Sequence, residues 1–344
     1  MHVIYMFNYY IFGLRPWGFH LVSILFHAGV SVMVFVIILK LLAEFPAAPE
    51  RERGATQVRG SHLVAFTAAV LFAAHPIHTE AVTWVAALPE LTFTFFLLLS
   101  LYYYLFSGPH LDRRYIMSLG FFFLGLLCKE TAMVLPVIIA AYDYASGRFS
   151  RSGLSQAKRY VPYLIIAAVY LLMRTHALGD FVRQRQHAEL GVYLTVINVF
   201  PLFSQYLGKL LVPVNLSVFH VFHPETSIIT AKEILGVLVT IAFIALVFIA
   251  SKKDSLFFFG LLVLAIPLLP ALYIPALGEN VFAERYLYLP SFGFVLLLAM
   301  TLSRSAIHLP EKAYGFALPS AVLIGIYAFA TISMNSTWRD NYSL

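Results

Sequence analysis

Charge is what this 344-residue sequence has least of. Lys, Arg, Asp and Glu together make up 12% of it, against about 25% in an ordinary soluble domain. That shortage excludes a soluble globular enzyme and a disordered chain. Cysteine is nearly absent too: Cys128 stands alone, which excludes an intramolecular disulfide and any multi-cysteine metal site. It ends an apolar run and reads as a small packing residue. No basic cluster is interleaved with aromatics, so nothing resembles a nucleic-acid surface. Met1 to Gly13 has neither a basic leader nor a small-residue cleavage pattern, so it does not look like a cleaved signal peptide. It opens in amphipathic material, as though a first segment were missing. No period of 20–50 residues recurs, so no repeat array is expected here.

What is present is apolar and aromatic. Hydrophobic residues reach 60%, with 31 Phe and 20 Tyr. A helix needs about 20 apolar residues to span a bilayer. Candidate spans are 16–40, 62–78, 90–107, 114–128, 131–145, 159–173, 232–250, 255–273, 286–303 and 313–334. The predicted fold is therefore an all-α, polytopic membrane bundle of about ten spanning helices in one domain, 1–344. Pro136, Pro162, Pro267 and Pro270 fall inside these runs, which membrane helices tolerate when neighbours satisfy the freed carbonyls.

Basic residues orient the bundle. Arg51, Arg53, Arg59, Arg113, Arg114, Arg148, Arg151, Lys158 and Arg159 fall on one side, and Arg15, Lys129, Arg174, Arg183 and Arg185 on the other. The richer set is expected in the cytoplasm. Within the outer region 174–231, segment 192–212 carries Thr195, Asn198, Gln205 and Lys209 at helical spacing. A polar stripe on an apolar helix suits an interfacial or re-entrant position, or a further span whose stripe faces the bundle.

With 192–212 not crossing, the chemically interesting residues collect on the outer face. His75-Pro76-Ile77-His78-Thr79-Glu80, followed by Trp84 and Glu90, ends an apolar helix. His75, His78 and Glu80 could hold a divalent metal, contact sugar hydroxyls, assist proton transfer or simply cap the helix. Cys128-Lys129-Glu130-Thr131 separates two short helices. Lys129 is a candidate for phosphate with Glu130 holding it, or the pair is a headgroup-solvated turn. Glu284-Arg285-Tyr286-Leu287-Tyr288 precedes another helix. Arg suits phosphate because its planar fork donates two bonds at once; Tyr286 and Tyr288 also suit an aromatic belt. Loop 174–191 adds Arg174, His176, Asp180, Arg183, Arg185 and His187, a cover for a site or a solvated loop. The cytoplasmic side shows only short basic loops.

These stretches resemble the multispanning half of the transmembrane and tetratricopeptide-repeat proteins. The resemblance runs through Asn8-Tyr9-Tyr10-Ile11-Phe12-Gly13, Gly18-Phe19-His20, His75 to Val82, Lys129-Glu130, Leu211-Val212-Pro213-Val214-Asn215-Leu216-Ser217, Glu284 to Pro290 and Trp338-Arg339-Asp340. It implies a GT-C-type glycosyltransferase fold. It also implies sugar transfer from a polyprenyl-phosphate donor to a protein hydroxyl, on the outward face of a membrane that is expected to be a bacterial plasma membrane. Arg285 and Lys129 would meet the phosphate, assisted by Glu130, Glu284, Arg174 and Tyr286, and His75, His78 and Glu80 would position substrate. The family's catalytic Asp lies in a first outer loop that this sequence does not contain, and its repeats follow the Trp-Arg-Asp region. A fragment inactive by itself is therefore expected. A permease and a non-catalytic scaffold are the alternatives.

Overall fold

The computed structural model describes residues 2–45, 55–108, 112–149, 157–178, 190–277, 280–306 and 312–338. Among them no strand occurs. The helices are α1 (His2–Phe12), α2 (Pro16–Glu44), α3 (Ala55–Ala74), α4 (Thr79–Thr83), α5 (Leu88–Leu105), α6 (Arg113–Cys128), α7 (Leu135–Ala145), α8 (Val161–Leu178), α9 (Val192–Leu211), α10 (Ala231–Lys253), α11 (Ser255–Ala265), α12 (Pro290–Ala306) and α13 (Lys312–Asn335).

Among the described residues, seven helical stretches are long and apolar enough to cross a membrane, or eight if the bent pair Gly60–Ala74 and Pro76–Thr83 is one span. The expected number was about ten. Six of the seven answer to expected spans and the seventh is α9, while the expected span 62–78 falls in the bent pair and α6, α7 and α12, with 16, 11 and 17 residues, are too short. At 1.5 Å per residue an 11-residue helix covers only about 17 Å. Proline explains part of the shortening. Pro136 and Pro162 sit in first turns, where the missing N–H costs nothing, so they start helices rather than interrupt them. Pro267 and Pro270 stop α11 and divert the chain into a 3₁₀ turn, Ile266–Leu272.

Helix α2 packs on α3 and α5, α5 on α6, and α11 on α12, which reaches back to α3; α9 packs on α10. Two glycines set close crossings. A Cβ on Gly293 would lie 2.5 Å from the Leu264 nitrogen, and one on Gly236 would lie 2.6 Å from the Phe200 carbonyl carbon. Backbones can meet there only because no side chain intervenes. The Gly293 contact fixes the start of α12 against α11. By contrast, α8 and α10 leave most of their apolar surface uncovered, as lipid-facing helices do.

Two polar clusters cap the bundle, one at each end. At the end where α2, α5 and α7 finish, Asp143 is fully buried and accepts hydrogen bonds from Tyr104 and Tyr160. Glu44 accepts from Tyr142 and pairs with Lys40 and Arg148. Arg159 donates to Ser107 at 2.6 Å and stacks over Tyr104 and Tyr115. This corrects the expectation of bare basic loops on this side. Asp112 caps α6 here, accepting from the backbone N–H of Tyr115 and Gly108. Those two bonds hold its carboxyl below the usual range.

Candidate active site

The other cluster forms where α3 breaks. Proline lacks an N–H and disfavours helix at the residue before it. His75 is accordingly extended, at φ −66° and ψ 124°, and the chain bends by 48° before α4. The break is buried within the protein: His75 is 0% and His78 2% exposed. Nδ1 of His75 accepts the Ile77 N–H at 3.2 Å, and its Nε2 lies 3.2 Å from the Leu210 carbonyl, to which it must donate. Both ring nitrogens are therefore committed to backbone. His78 Nε2 lies 2.8 Å from Ser291 Oγ, whose own proton goes to the Tyr288 carbonyl. His27 joins the group through Tyr288, with its Nδ1 2.7 Å from the phenol oxygen. Among the described residues, no three His, Cys, Asp or Glu side chains group as metal ligands.

Helix α4 carries Glu80 toward Arg285. Glu80 Oε2 accepts the Arg285 backbone N–H at 2.8 Å, and its Oε1 accepts the guanidinium. The pair spans 205 residues of sequence and is nearly buried, with side-chain exposures of 3% for Glu80 and 14% for Arg285. The guanidinium lies 5.0 Å from both the Trp84 and the Tyr286 ring centres. Lys129 lies 4.9 Å from the Tyr286 ring, so two cations flank one phenol. Such contacts are worth ~0.5–1 kcal/mol when exposed and more when desolvated.

Two expected pairings are corrected. Lys129 is held by Glu90, not by Glu130. Lys129 is extended, at φ −157° and ψ 138°, and neighbours on extended chain point apart. Glu130 turns instead to Arg174 at 3.1 Å, which also meets the Tyr170 hydroxyl at 3.2 Å. Glu284 likewise does not steady Arg285. It points the other way, accepting from Ser217 N–H at 3.1 Å and lying 2.7 Å from His220 Nε2.

Ser217 and His220 belong to the extended connection 212–230 between α9 and α10. Lys209 clamps its first turn by donating to the carbonyls of Val214 at 2.8 Å and Asn215 at 2.6 Å. Asn215 sits at φ +52°, a left-handed conformation that asparagine tolerates. Glu80 and Glu284 both line a small pocket, with Thr79, Ser217, Met334 and Trp338. Asp180, Arg183, Arg185, His187, Arg339 and Asp340 lie outside the described residues.

Comparison with known proteins follows the same course as these motifs. A protein O-mannosyl-transferase of Caenorhabditis elegans, F38B6.6, is 26% identical over 98% of the chain. Protein O-mannosyl-transferase TMTC3 of Mus musculus is 27% identical over 98%. Over almost its whole length the chain is similar to protein O-mannosyl-transferases. It spans 46% and 38% of the length of those two relatives. Drosophila melanogaster Tmtc2 is 35% identical over a shorter stretch, 39% of the chain. No family profile matches the chain, and no solved structure does.

Sequence reasoning missed His27, His220, the Glu90–Lys129 pair and the buried Asp143. Asp143 carried a usable signal, since a carboxylate inside an apolar run is costly and rarely unpaired. His220 carried none: it sits in an aperiodic stretch, and only the fold brings it to Glu284.

Proposed function

We propose that this chain is the membrane part of a GT-C-type glycosyltransferase that moves a sugar from a polyprenyl-phosphate donor to a protein hydroxyl. The names of its relatives add mannose as the sugar and protein as the acceptor. One observation carries the reading. Arg285 and Lys129 are both held against Tyr286, each by its own carboxylate, and Glu80, which holds Arg285, lines a pocket. Cations held in place before substrate arrives can stabilise charge on a departing phosphate without reorganising. The lipid tail then runs over the apolar helices below.

The donor would bind from outside the membrane, with tetratricopeptide repeats elsewhere in the full-length protein. The basic-loop excess supports this orientation. Helix α9 is tied at both ends to segments near the site. Asn198 exchanges hydrogen bonds with the Glu225 backbone, and the Leu210 carbonyl meets His75. Those ties support an interfacial α9, although its length and hydropathy would also allow a span. Single cysteines at positions 152 and 278 test the arrangement. In intact cells an impermeant thiol reagent should label S152C poorly and G278C well; labelling of both would refute it.

Arg285 provides the direct test of function. A charge-assisted hydrogen bond is worth ~1.5–3 kcal/mol, so Arg285→Ala should weaken binding of a polyprenyl phosphate about ten- to a hundredfold. Arg285→Lys should recover only part of it, because the two-pronged geometry is lost. Unchanged affinity in folded Arg285→Ala would remove the phosphate role from this residue.

A further inference from the structure

We propose that the small pocket between α4, the connection 212–230 and the end of α13 is a hexose subsite, in which Glu284 and Trp338 hydrogen-bond the hydroxyls of one sugar; this rests on the glycosyl-transfer reading. Four of the stretches that carry the family resemblance supply its lining: Thr79 and Glu80, Leu216 and Ser217, Glu284, and Trp338. They lie far apart in the sequence, and the fold gathers them at one point. Thr79, Glu80 and Glu284 form a closed floor, each 5% exposed or less. Ser217 is exposed, so the pocket opens at the connection.

The hydrogen-bonding groups left over in the pocket define its ligand. Glu284 uses Oε1 for the Ser217 N–H and His220. Its Oε2 accepts nothing from the described residues and is not sealed from solvent. The indole N–H of Trp338 likewise has no acceptor among the described residues. Thr79 donates its proton to the Pro76 carbonyl at 2.8 Å, which leaves it lone pairs only. One free donor thus stands among free acceptors. A hydroxyl gives one proton and also accepts, so it satisfies both. A phosphate anion would instead face two carboxylates, and an ammonium, which only donates, would leave the indole N–H unmet. Leu216, Val218, Met334 and the indole ring add apolar surface for the C–H faces of a pyranose.

The walls are fixed by contacts outside the pocket. Thr331 on α13 donates to the Ala74 carbonyl at 2.8 Å, at the break after α3. Tyr327 packs on the His75 ring with 4.5 Å between centres. These two contacts tie the helix that leads to Met334 and Trp338 to the break that carries Thr79 and Glu80. Glu284 holds the connection through the Ser217 N–H at 3.1 Å. Glu80 both lines the pocket and holds Arg285, and through this shared residue the pocket adjoins the guanidinium assigned to phosphate. The sugar belongs either to the lipid-linked donor or to a peptide already mannosylated; the chemistry recognised is the same.

The test measures binding by the chain in lipid nanodiscs to two pairs of probes. One pair is polyprenyl-phosphate mannose and bare polyprenyl phosphate; the other is a mannosylated serine peptide and the same peptide without sugar. E284Q keeps a carbonyl for Ser217 and puts an NH₂ where Oε2 was. Losing a charge-assisted hydrogen bond costs about tenfold in affinity or more, so E284Q should weaken a mannose-bearing probe by about that factor and leave its sugar-free counterpart unchanged. W338L should act in the same direction, and W338F, which keeps a ring but no N–H, should recover part of the loss. The pair that responds identifies the source: the lipids for the donor, the peptides for a sugar already transferred. No sugar-dependent loss in either pair, with both variants folded, overturns the subsite, as does equal weakening of a mannose-bearing probe and its sugar-free counterpart. Arg285→Ala separates the two readings. It should weaken both lipids, and if it weakens neither, the donor reading fails while the sugar-dependent difference still decides the pocket.

Discussion

The two polar ends of the bundle are built from the same materials and differ in what they leave open. At the Asp143 end, tyrosine hydroxyls and arginines surround two carboxylates, and Arg159 stacks on two phenol rings. At the Glu80 end, carboxylates again hold cations against aromatic rings. Buried ion pairs and cation–aromatic contacts therefore do not mark a site by themselves. The Glu80 end adds a helix broken at Pro76, an extended connection laid across it and a pocket lined by two carboxylates. The Asp143 end packs helix termini together and locks them. One end is a clasp, and the other is a clasp with a cavity.

The largest effect should come from Glu80→Gln. Removing one partner of a buried pair typically costs about 3–5 kcal/mol, and here it also frees Arg285 from its orienting acceptor. Both a lower melting temperature and weaker polyprenyl-phosphate binding should follow. A stable variant with normal donor affinity would erase the distinction between the ends. Asp143→Asn should be milder, ~1–3 kcal/mol, since a buried acceptor loses charge but keeps hydrogen-bonding capacity. Its unfolding midpoint should drop while donor binding per folded molecule stays constant; a loss of donor affinity would mean that the far end also shapes the site. Arg174→Ala should be smallest, at most ~1 kcal/mol, because its partner Glu130 is 51% exposed. A melting-temperature change as large as that of Glu80→Gln would show that the rim is as tightly built as the centre.

Much of the chemistry-bearing set was legible residue by residue. His75, Glu80, Lys129, Glu284 and Arg285 stood out because polar side chains bordering apolar runs are expensive, and the structure brings Glu80 to Arg285 and Glu284 to the same pocket. Their partners were not legible. Proximity in sequence suggested Lys129 with Glu130 and Arg285 with Glu284, yet in both cases the neighbour faces away. The expected span 62–78 ended at the histidines, whereas the chain turns through them and continues as a buried helix. The span of 131–145 was shortened in turn, with a 3₁₀ segment, Glu130–Val134, ahead of α7.

Hydropathy, proline placement and capping act within a few residues of themselves, and so the sequence alone determined an all-helical membrane bundle and a helix end at His75-Pro76. Pairing acts across whatever distance packing closes. Glu80 reaches Arg285 because α12 rests backbone to backbone on α11 at Gly293 while also touching α3. His220 reaches Glu284 because Lys209 and Asn198 pin the connection that carries it. Those distances are set by helix crossings, which no local pattern encodes, and they alone decide which carboxylate holds which cation.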